Sequence, residues 1–328
     1  MPVICTGSIA YDYLMTFPGY FRDQILPDRL ETISLSFLVD TLTRQRGGTA
    51  PNIAYTMALL GKPAFIVGTV GEDFCDYRLW LEAHGLDTRY IREIKGKFTA
   101  SFFANTDQAN NQICSFYTGA MAHAGEISLH ELQSEHPDLI VISPNDPAAM
   151  DQYVRECAEL NYRYVYDPGQ QVARVSGEEL ARGVLGAYSL FCNEYEFELL
   201  QKHTGLTRTQ IMDKVHLVVV TLGKNGAESF VDGVCTKTPV VPPEQLIDPT
   251  GVGDAFRGGF LRGWQLNLDW ETCGQIGALA ATYCLEQAGT LNHEYTLTDF
   301  VTRYRRHFDD QGRLDILLKV EKESQPGR

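Results

Sequence analysis

The chain has 328 residues, 44% of them hydrophobic, and 28 basic against 42 acidic side chains give it a formal net charge of −14. This length and composition allow a substantial buried core in one or two domains. The acidic balance argues against a nucleic-acid surface or an anionic membrane surface, so any phosphate site has to be built locally from backbone amides, a few basic residues and a metal ion.

The cysteines and the apolar segments narrow the class of protein further. The eight cysteines show neither a Cys-x-x-Cys pair nor zinc spacing, and Cys5, Cys192 and Cys284 lie in apolar runs typical of reduced core thiols. The first residues enter a strand-like run without a signal peptide, and no apolar stretch approaches the roughly 20 residues that span a bilayer. The sequence predicts a cytoplasmic globular protein.

Short apolar runs alternate with helical patterns along most of the chain. Six runs are predicted to be buried strands: 3–5, 64–67, 139–142, 164–166, 189–192 and 217–221. Helices are predicted at 52–60, 74–83, 150–160 and 195–202, followed by two successive helices at 255–265 and 270–287. This alternation predicts an α/β fold in which helices cover both faces of a parallel sheet.

Two segments interrupt this rhythm. Residues 11–45 contain alternating, half-exposed patterns at 11–17 and 31–40, and residues 97–118 contain two more at 98–105 and 112–118. The turn-prone run at 107–111 joins the last two. We expect these segments to form a small antiparallel sheet that acts as a lid, and edge strands of the main sheet are the alternative.

The most informative segment is a glycine-rich turn that runs into the helix predicted at 255–265. Gly251, Val252 and Gly253 precede Asp254. Glycines let backbone N–H groups turn outward, and a helix start adds unpaired N–H groups and a positive dipole end, which together favour an anion. Asp254 beside such a cradle is a candidate general base for phosphoryl transfer, although the same residues suit an ordinary helix start with Asp as its cap.

Two glycine-rich signatures at opposite ends of the chain point to a family. The N-terminal one runs from Gly47 through Gly48 to Asn52, and the C-terminal one is 251–254. With these motifs the chain resembles the ribokinase-like (PfkB) family of carbohydrate and nucleoside kinases over about residues 2–310. Within it, the segments 7–12, 110–121, 167–170 and 254–259 look most like prokaryotic, adenosine kinase-like nucleoside kinases.

This resemblance implies an architecture. The expected core is a three-layer αβα unit with a mostly parallel sheet, made of residues 1–10, 46–96 and 119–315. Residues 11–45 and 97–118 would form the β-sheet lid over the acceptor site, and residues 316–328 a polar tail. Whether the protein is a monomer or a homodimer stays open, because exposed lid edges are also able to pair between subunits.

The resemblance also implies residues for the acceptor. Asp12 matches the carboxylate that holds the sugar, and one carboxylate is able to accept hydrogen bonds from two neighbouring hydroxyls. Gly48 and Asn52 match a second sugar-contacting group. The remaining acceptor-side predictions are residues of the lid and its exit, which either contact the base or form the lid's own core: Phe102, Asn111, Gln112, Phe116 and Met121.

Residues for ATP and metal ions follow in the same way. Asn193 and Glu196 match an Asn-x-x-Glu motif that organises a hydrated Mg²⁺, and by themselves they also read as a helix capping box. The nucleotide-binding turn corresponds to Thr221, Gly223 and Gly226, with no Walker A motif in the chain. Positions that hold a monovalent cation such as K⁺ in relatives correspond to Asp248 and Thr250, near Gly289.

Arg257 lies one helical turn after Asp254 and is predicted to contact the transferring phosphoryl group, with an ion-pair role as the alternative. The expected activity is ATP-dependent phosphorylation of the 5′-hydroxyl of a purine nucleoside such as adenosine, inosine or guanosine, with Asp254 as the base. The alternatives are a sugar kinase of the ribose or fructose type and a non-catalytic nucleoside-binding homologue. A dinucleotide-dependent oxidoreductase lacks support, because no Gly-x-Gly-x-x-Gly follows the first strand.

Overall fold

The large sheet forms the centre of the molecule. A computed structural model describes residues 2–26, 31–32 and 34–324, those from 320 on as backbone alone. Within these residues nine strands run in the order β13-β12-β11-β10-β9-β8-β1-β4-β5. They are parallel from β5 to β11, and the hairpin β12–β13 is antiparallel, which confirms the mostly parallel sheet. The strands are β1 Val3–Thr6, β4 Phe65–Val70, β5 Ile91–Glu93, β8 Leu139–Ile142, β9 Tyr164–Tyr166, β10 Ser189–Asn193, β11 Leu217–Thr221, β12 Ala227–Val231 and β13 Val234–Thr238.

Alternate residues of the central strands enter different hydrophobic clusters. Leu139 and Val141 pack with α2, α3, α8 and α9, whereas Ile140 and Ile142 pack with α4 to α7. Because successive strand side chains point to opposite faces, the sheet is buried on both sides, and the three-layer architecture is confirmed. The helices are α1 Phe21–Gln24, α2 Thr49–Leu59, α3 Cys75–Ala83, α4 Pro147–Glu159, α5 Gly177–Leu185, α6 Glu194–Thr204, α7 Arg208–Lys214, α8 Val252–Gln265, α9 Trp270–Leu285, α10 Leu297–His307 and α11 Asp315–Ser324.

A second, four-stranded sheet has the order β3-β2-β6-β7, formed by β2 Ala10–Thr16, β3 Thr41–Gly47, β6 Ala100–Thr106 and β7 Gln112–Tyr117. Its outer pairs are antiparallel as expected, but the central pair β2–β6 is parallel. The strand predicted at 31–40 is wrong for the described residues there, which contain no strand before Thr41, and residue 33 lies outside them. The real strand, β3, is mostly exposed and rich in Thr, Arg and Gln, so hydrophobic alternation did not reveal it.

The C-terminal segment differs from the expected polar tail. Residues Asp315–Ser324 form α11, and Leu317 is fully buried in a cluster with residues of α9 and α10. An ion pair between Arg305 and Asp315 joins α10 to the start of this helix. Among the helices that the structure describes, none combines the length and the apolar character needed to cross a bilayer.

The glycines of α8 are explained by close helix packing. A Cβ on Gly259 would lie 2.8 Å from the Cα of Gly277 and 2.9 Å from the carbonyl oxygen of Ile276, both in the backbone of α9. A Cβ on Gly258 would lie 2.6 Å from Thr56 of α2. The backbone of α8 therefore packs closely against α2 and α9, and this packing fixes the position of its first turn.

This packing predicts the effect of adding one methyl group. We expect Gly259→Ala to lower the free energy of unfolding by about 1–3 kcal/mol. The added methyl group would meet backbone atoms of α9, which cannot move aside as a flexible side chain could. Gly125→Ala is the control, since the nearest neighbour of its Cβ would be the end of the flexible Gln152 side chain at 3.1 Å, with Ala149 at 4.0 Å, and it should change stability by less than about 0.5 kcal/mol. Urea unfolding of both variants measures the difference, and equal stabilities would contradict the packing argument.

Candidate active site

A cleft of about 390 Å³ lies between the ends of strands β10 and β11, the start of α8 and the small sheet. Parallel strands deliver polar side chains to the edge of a sheet, and such edges commonly hold ligands. The cleft brings together most of the residues that the sequence singled out: Asp12, Gly48, Asn52, Phe102, Phe116, Asn193, Glu196, Thr221, Thr250, Gly251, Gly253, Asp254 and Arg257.

Helix α8 begins at the wall of this cleft without a side-chain cap among the described residues. Its N-cap, Gly251, has a φ of 76°, and a Cβ there would lie 2.7 Å from Thr290. The first N–H groups of the helix, including those of Val252 and Gly253, have no partner within the helix. They form a positive concavity suited to a phosphate. The Val252 side chain itself does not line the cleft.

Asp254 is held by a chain of hydrogen bonds. Its Oδ2 accepts from Nδ2 of Asn52 at 2.8 Å, and Oδ1 of Asn52 accepts from Oγ1 of Thr290 at 2.8 Å. Burial raises the pKa of the Asp254 carboxyl, whereas Arg257 and the Asn52 hydrogen bond lower it. Thr290 also lines the cleft, but the sequence patterns single out only its neighbour Gly289 and miss the threonine.

Arg257 is engaged in a buried ion pair. Its Nη2 donates to Oδ1 of Asp167 at 2.8 Å, its Nε lies against Oδ2 of the same carboxylate, and its Nη1 donates to the Gly253 carbonyl at 3.1 Å. The Asp167 side chain is only 2% exposed. Burial raises the pKa of Asp167 and the guanidinium opposes that rise. The ion pair is therefore present, and Arg257 also holds the Gly253 carbonyl and lines the cleft, so its contact with a transferring phosphoryl group stays a prediction.

Asp12 occupies the cleft-facing side of the small sheet. It is in register with Phe102 of β6, which is opposite Phe116 of β7, so the three side chains share one face. Within the described residues no hydrogen-bond donor reaches the Asp12 carboxylate. Burial, followed by the charges of Asp248 and Asp254, raises the pKa of Asp12 to about 6. A half-buried carboxylate with free lone pairs is suited to ligand hydroxyls.

Three predicted acceptor-side residues do not line the cleft. Nδ2 of Asn111 donates to both oxygens of Asp107, at 3.2 and 3.1 Å, and closes the β6–β7 turn. Nε2 of Gln112 donates to Oγ1 of Thr106 at 3.2 Å. Met121 is 3% exposed and packs with two alanines at the base of the small sheet.

Asn193 and Glu196 form the capping box of α6 and face the cleft. Oδ1 of Asn193 accepts from the Glu196 amide at 2.8 Å, and Oε2 of Glu196 accepts from the Asn193 amide at 2.8 Å. The second Glu196 oxygen has no protein donor among the described residues. A carboxylate oxygen that lines a polar cleft fits a hydrated divalent cation, which takes few direct protein ligands.

The turn after β11 carries Thr221 at the cleft and two glycines beyond it. Gly223 has a φ of 56° and Gly226 a φ of 88°, and a Cβ on Gly226 would overlap the Thr238 carbonyl. The backbone path of this turn therefore requires glycine at 226, and the positive φ at 223 favours it there. Neither lines the cleft itself.

Asp248 ties two loops together beside α8. Its Oδ1 accepts from the Thr250 amide and its Oδ2 from the Gly289 amide, both at 2.9 Å. Burial opposes ionisation, but the hydrogen bonds from Thr250 and Gly289 lower the pKa of Asp248. No cluster of three or more His, Cys, Asp or Glu side chains suited to a metal ion occurs within the residues that the structure describes.

Comparison with known proteins identifies the family. The model of the pfkB family of carbohydrate kinases matches residues 11–296. The chain belongs to this family. The relationship indicated by the two glycine-rich signatures is thus confirmed, and the pfkB-family chain is a phosphotransferase with an alcohol group as acceptor. Membership of a kinase family implies ATP and a divalent metal ion.

Several relatives cover nearly the whole pfkB-family chain. The nucleoside kinase of Methanocaldococcus jannaschii is 27% identical over 93% of this chain and 97% of its own length. The structure of Burkholderia thailandensis nucleoside kinase with inosine is 34% identical over 93% of this chain and 98% of that one, with a TM-score of 0.83. Arabidopsis thaliana ribokinase with ribose and ATP, 22% identical with a TM-score of 0.73, shares the fold over 94% of this chain.

The buried pair behind the cradle predicts a large stability effect. We expect Asp167→Ala to lower the free energy of unfolding by about 3–5 kcal/mol, because it leaves the Arg257 guanidinium buried without its counter-charge. Glu178→Ala is the control: its carboxylate is 91% exposed and lies 3.9 Å from Arg182, so the loss should stay below about 0.5 kcal/mol. Urea unfolding compares the two variants, and a small loss for Asp167→Ala would contradict a buried, charged pair.

Proposed function

We propose that this chain is a nucleoside kinase that transfers the γ-phosphoryl group of ATP to the 5′-hydroxyl of a purine nucleoside. One observation carries the proposal: the half-buried Asp254 carboxylate at the first turn of α8 adjoins uncapped helix amides and shares its cleft with Asp12. A phosphate cradle, a base and a hydroxyl-binding carboxylate in one cleft are what transfer to an alcohol requires. The similarity to nucleoside kinases over nearly the whole chain supports the acceptor class.

The acceptor would lie between the small sheet and the core. Asp12 is suited to accept hydrogen bonds from two ribose hydroxyls, since no donor among the described residues occupies its oxygens. Gly48, with a φ of 101°, lets the backbone come close to the sugar. Phe102 and Phe116 offer ring surface for a base. The complex of the Burkholderia enzyme with inosine favours a purine.

Asp254 would act as the general base. Its raised pKa brings the carboxylate nearer the pKa that general-base catalysis at neutral pH favours. As the 5′-oxygen attacks the γ-phosphorus and the bond to the β-phosphate oxygen of ATP breaks, the hydroxyl proton would pass to Asp254. The amides at 252–254 would stabilise the negative charge on the transferring group. The turn at Thr221, Gly223 and Gly226 lies where ATP would extend.

The residues present fit a divalent cation near Glu196 and Asn193. When bound, Mg²⁺ would neutralise phosphate charge, and Glu196 would hold its water shell. The proposed K⁺ site at Asp248 and Thr250 lies where one carboxylate joins two loops, although both of its oxygens already accept backbone amides. Asn111, Gln112 and Met121 would act on the acceptor indirectly, by shaping the lid. In this scheme the described residues of 11–45 and 97–118 would form the lid and those of 1–10, 46–96 and 119–315 the core, whereas residues 1, 27–30 and 33 lie outside the described residues.

The base assignment predicts the result of one substitution. Asp254→Asn should keep the Asn52 contact and the fold but lower turnover by about 10²–10⁴-fold, the usual contribution of a general base. The assay measures ATP consumption with MgCl₂ and KCl on adenosine, inosine, guanosine, cytidine, ribose, fructose and fructose 6-phosphate. Asp23→Asn, at a side chain 63% exposed, is the control. Turnover on free sugars alone would replace the proposed acceptor, and nucleoside binding without turnover would favour a regulatory protein.

The sugar assignment predicts a separate kinetic effect. Asp12→Asn should raise the KM for the nucleoside by about tenfold or more while the KM for ATP stays unchanged, because one acceptor oxygen becomes a donor. In the unsubstituted protein, kcat/KM for the nucleoside should fall as pH drops through about 6, where Asp12 takes up a proton. Steady-state kinetics over pH test both, and an equal rise in the KM for ATP would contradict the assignment.

A further inference from the structure

The loop after α9 brings a buried hydroxyl to the hydrogen bonds of Asp254. Thr290 is 4% exposed. Its Oγ1 lies 2.8 Å from Oδ1 of Asn52 and 3.1 Å from the carbonyl oxygen of Arg46, at the end of β3. Asn52, 4% exposed, then donates through Nδ2 to Asp254 at 2.8 Å. A threonine far from Asp254 in the chain thus lies two hydrogen bonds from the candidate base.

The direction of these bonds matters. A hydroxyl has one proton, and both neighbours of the Thr290 oxygen are acceptors in this arrangement. The Asn52 contact is the shorter of the two, so we assign the proton to it; the oxygen end of the amide is then held by Thr290 and the NH₂ end by Asp254. Without this donor, the Asn52 oxygen is left without a partner among the described residues, and the amide that donates to Asp254 is held at one end only.

Asn52 matters because few groups favour the ionised form of Asp254. Within the described residues, it is the one side chain that donates a hydrogen bond to this carboxylate. The positive charge of Arg257 also favours ionisation of Asp254, but the Arg257 guanidinium is paired with the Asp167 carboxylate. The other titratable groups that interact with Asp254 oppose its charge or share its sign: Asp12, Asp167, Glu196 and Cys284.

We propose that Thr290 is a positioning residue that orients the Asn52 amide and thereby aims the Asp254 carboxylate at the acceptor hydroxyl. The inference rests on the proposed function, because it takes Asp254 as the base. The hydroxyl and the methyl group of Thr290 have separable tasks. A Cβ on Gly251 would lie 2.7 Å from Cγ2 of Thr290, so the methyl side packs on the cradle while the hydroxyl faces Asn52.

Two substitutions separate these tasks. Thr290→Val keeps the shape and removes the donor, and Thr290→Ser keeps the donor and removes the methyl group. We expect Thr290→Val to lower kcat by about 10- to 100-fold, the cost of a misaimed catalytic group, with the KM for ATP changed by less than about twofold. Thr290→Ser should restore most of kcat.

Thr282→Val is the matched control, because Thr282 is also buried and donates to the Val241 carbonyl at 2.9 Å. This variant should lower stability and leave kcat unchanged.

A second readout needs no turnover. In protein with ¹³C-labelled aspartate, Thr290→Val should raise the pKa of the Asp254 carboxyl and Thr290→Ser should leave it unchanged. Wild-type kcat and an unchanged Asp254 pKa in Thr290→Val would overturn the inference, as would a Thr290→Ser variant as impaired as Thr290→Val. If the unsubstituted protein phosphorylates no nucleoside, the proposed function fails, and the carboxyl titration alone decides whether Thr290 acts on Asp254.

Discussion

The Asp254 carboxylate is half-buried, and the compensation of its charge is the constraint around which the site is arranged. An ionised carboxylate out of water is costly unless hydrogen bonds or opposite charges compensate it. The start of α8 contributes its positive end, Asn52 contributes a hydrogen bond, and Arg257 contributes a nearby positive charge. Each of the two side chains requires another contact, because Asn52 is held by Thr290 and Arg257 by Asp167.

The same hydrogen bonds connect the small sheet to α8. Thr290 touches the carbonyl of Arg46 at the end of β3 and, through Asn52, the first turn of α8. The end of β3 in the small sheet is therefore linked to the candidate base by a short series of hydrogen bonds. Asp12 adds a second, half-buried carboxylate in the cleft, and burial, followed by the charges of Asp248 and Asp254, raises the pKa of Asp12. Hydroxyl groups of an acceptor would relieve part of that cost by donating hydrogen bonds to Asp12.

Much of the core was predictable from the sequence because its signals are local. The strands at 139–142, 164–166 and 217–221 are continuous apolar runs and have the predicted bounds. The turn before Asp254 was visible because glycines directly before a helix mark a backbone path that residues with a Cβ rarely adopt. By contrast, β3 lacks a hydrophobic pattern, and the charged residues in the sequence of α11 suggested a polar tail. The role of Arg257 depends on Asp167, 90 residues away, and a single sequence does not reveal such a partner.

Site residues such as Thr290 were missed for the same reason as the role of Arg257: their contacts are with residues distant in the chain. Thr290 belongs to no sequence motif. Its importance follows from its position in the fold, where it packs against Gly251 and its hydroxyl donates to Asn52. Asn111 shows the opposite error. It belongs to a family-like motif and was predicted to lie on the acceptor side, but its amide donates hydrogen bonds to Asp107 in the β6–β7 turn. Residues that act through backbone shape or through a distant partner are thus the ones for which three-dimensional placement is necessary.

The central claim is phosphoryl transfer to the 5′-oxygen of a nucleoside, and proton-coupled ³¹P NMR of the product formed from ATP and inosine tests it most directly. A phosphate on the 5′-oxygen couples to the two hydrogens of the adjacent carbon, so the account predicts one new monoester resonance that is a triplet. A doublet would place the phosphate on a ring hydroxyl, and inorganic phosphate without any ester would show that no acceptor is used. Either result would contradict the proposed activity.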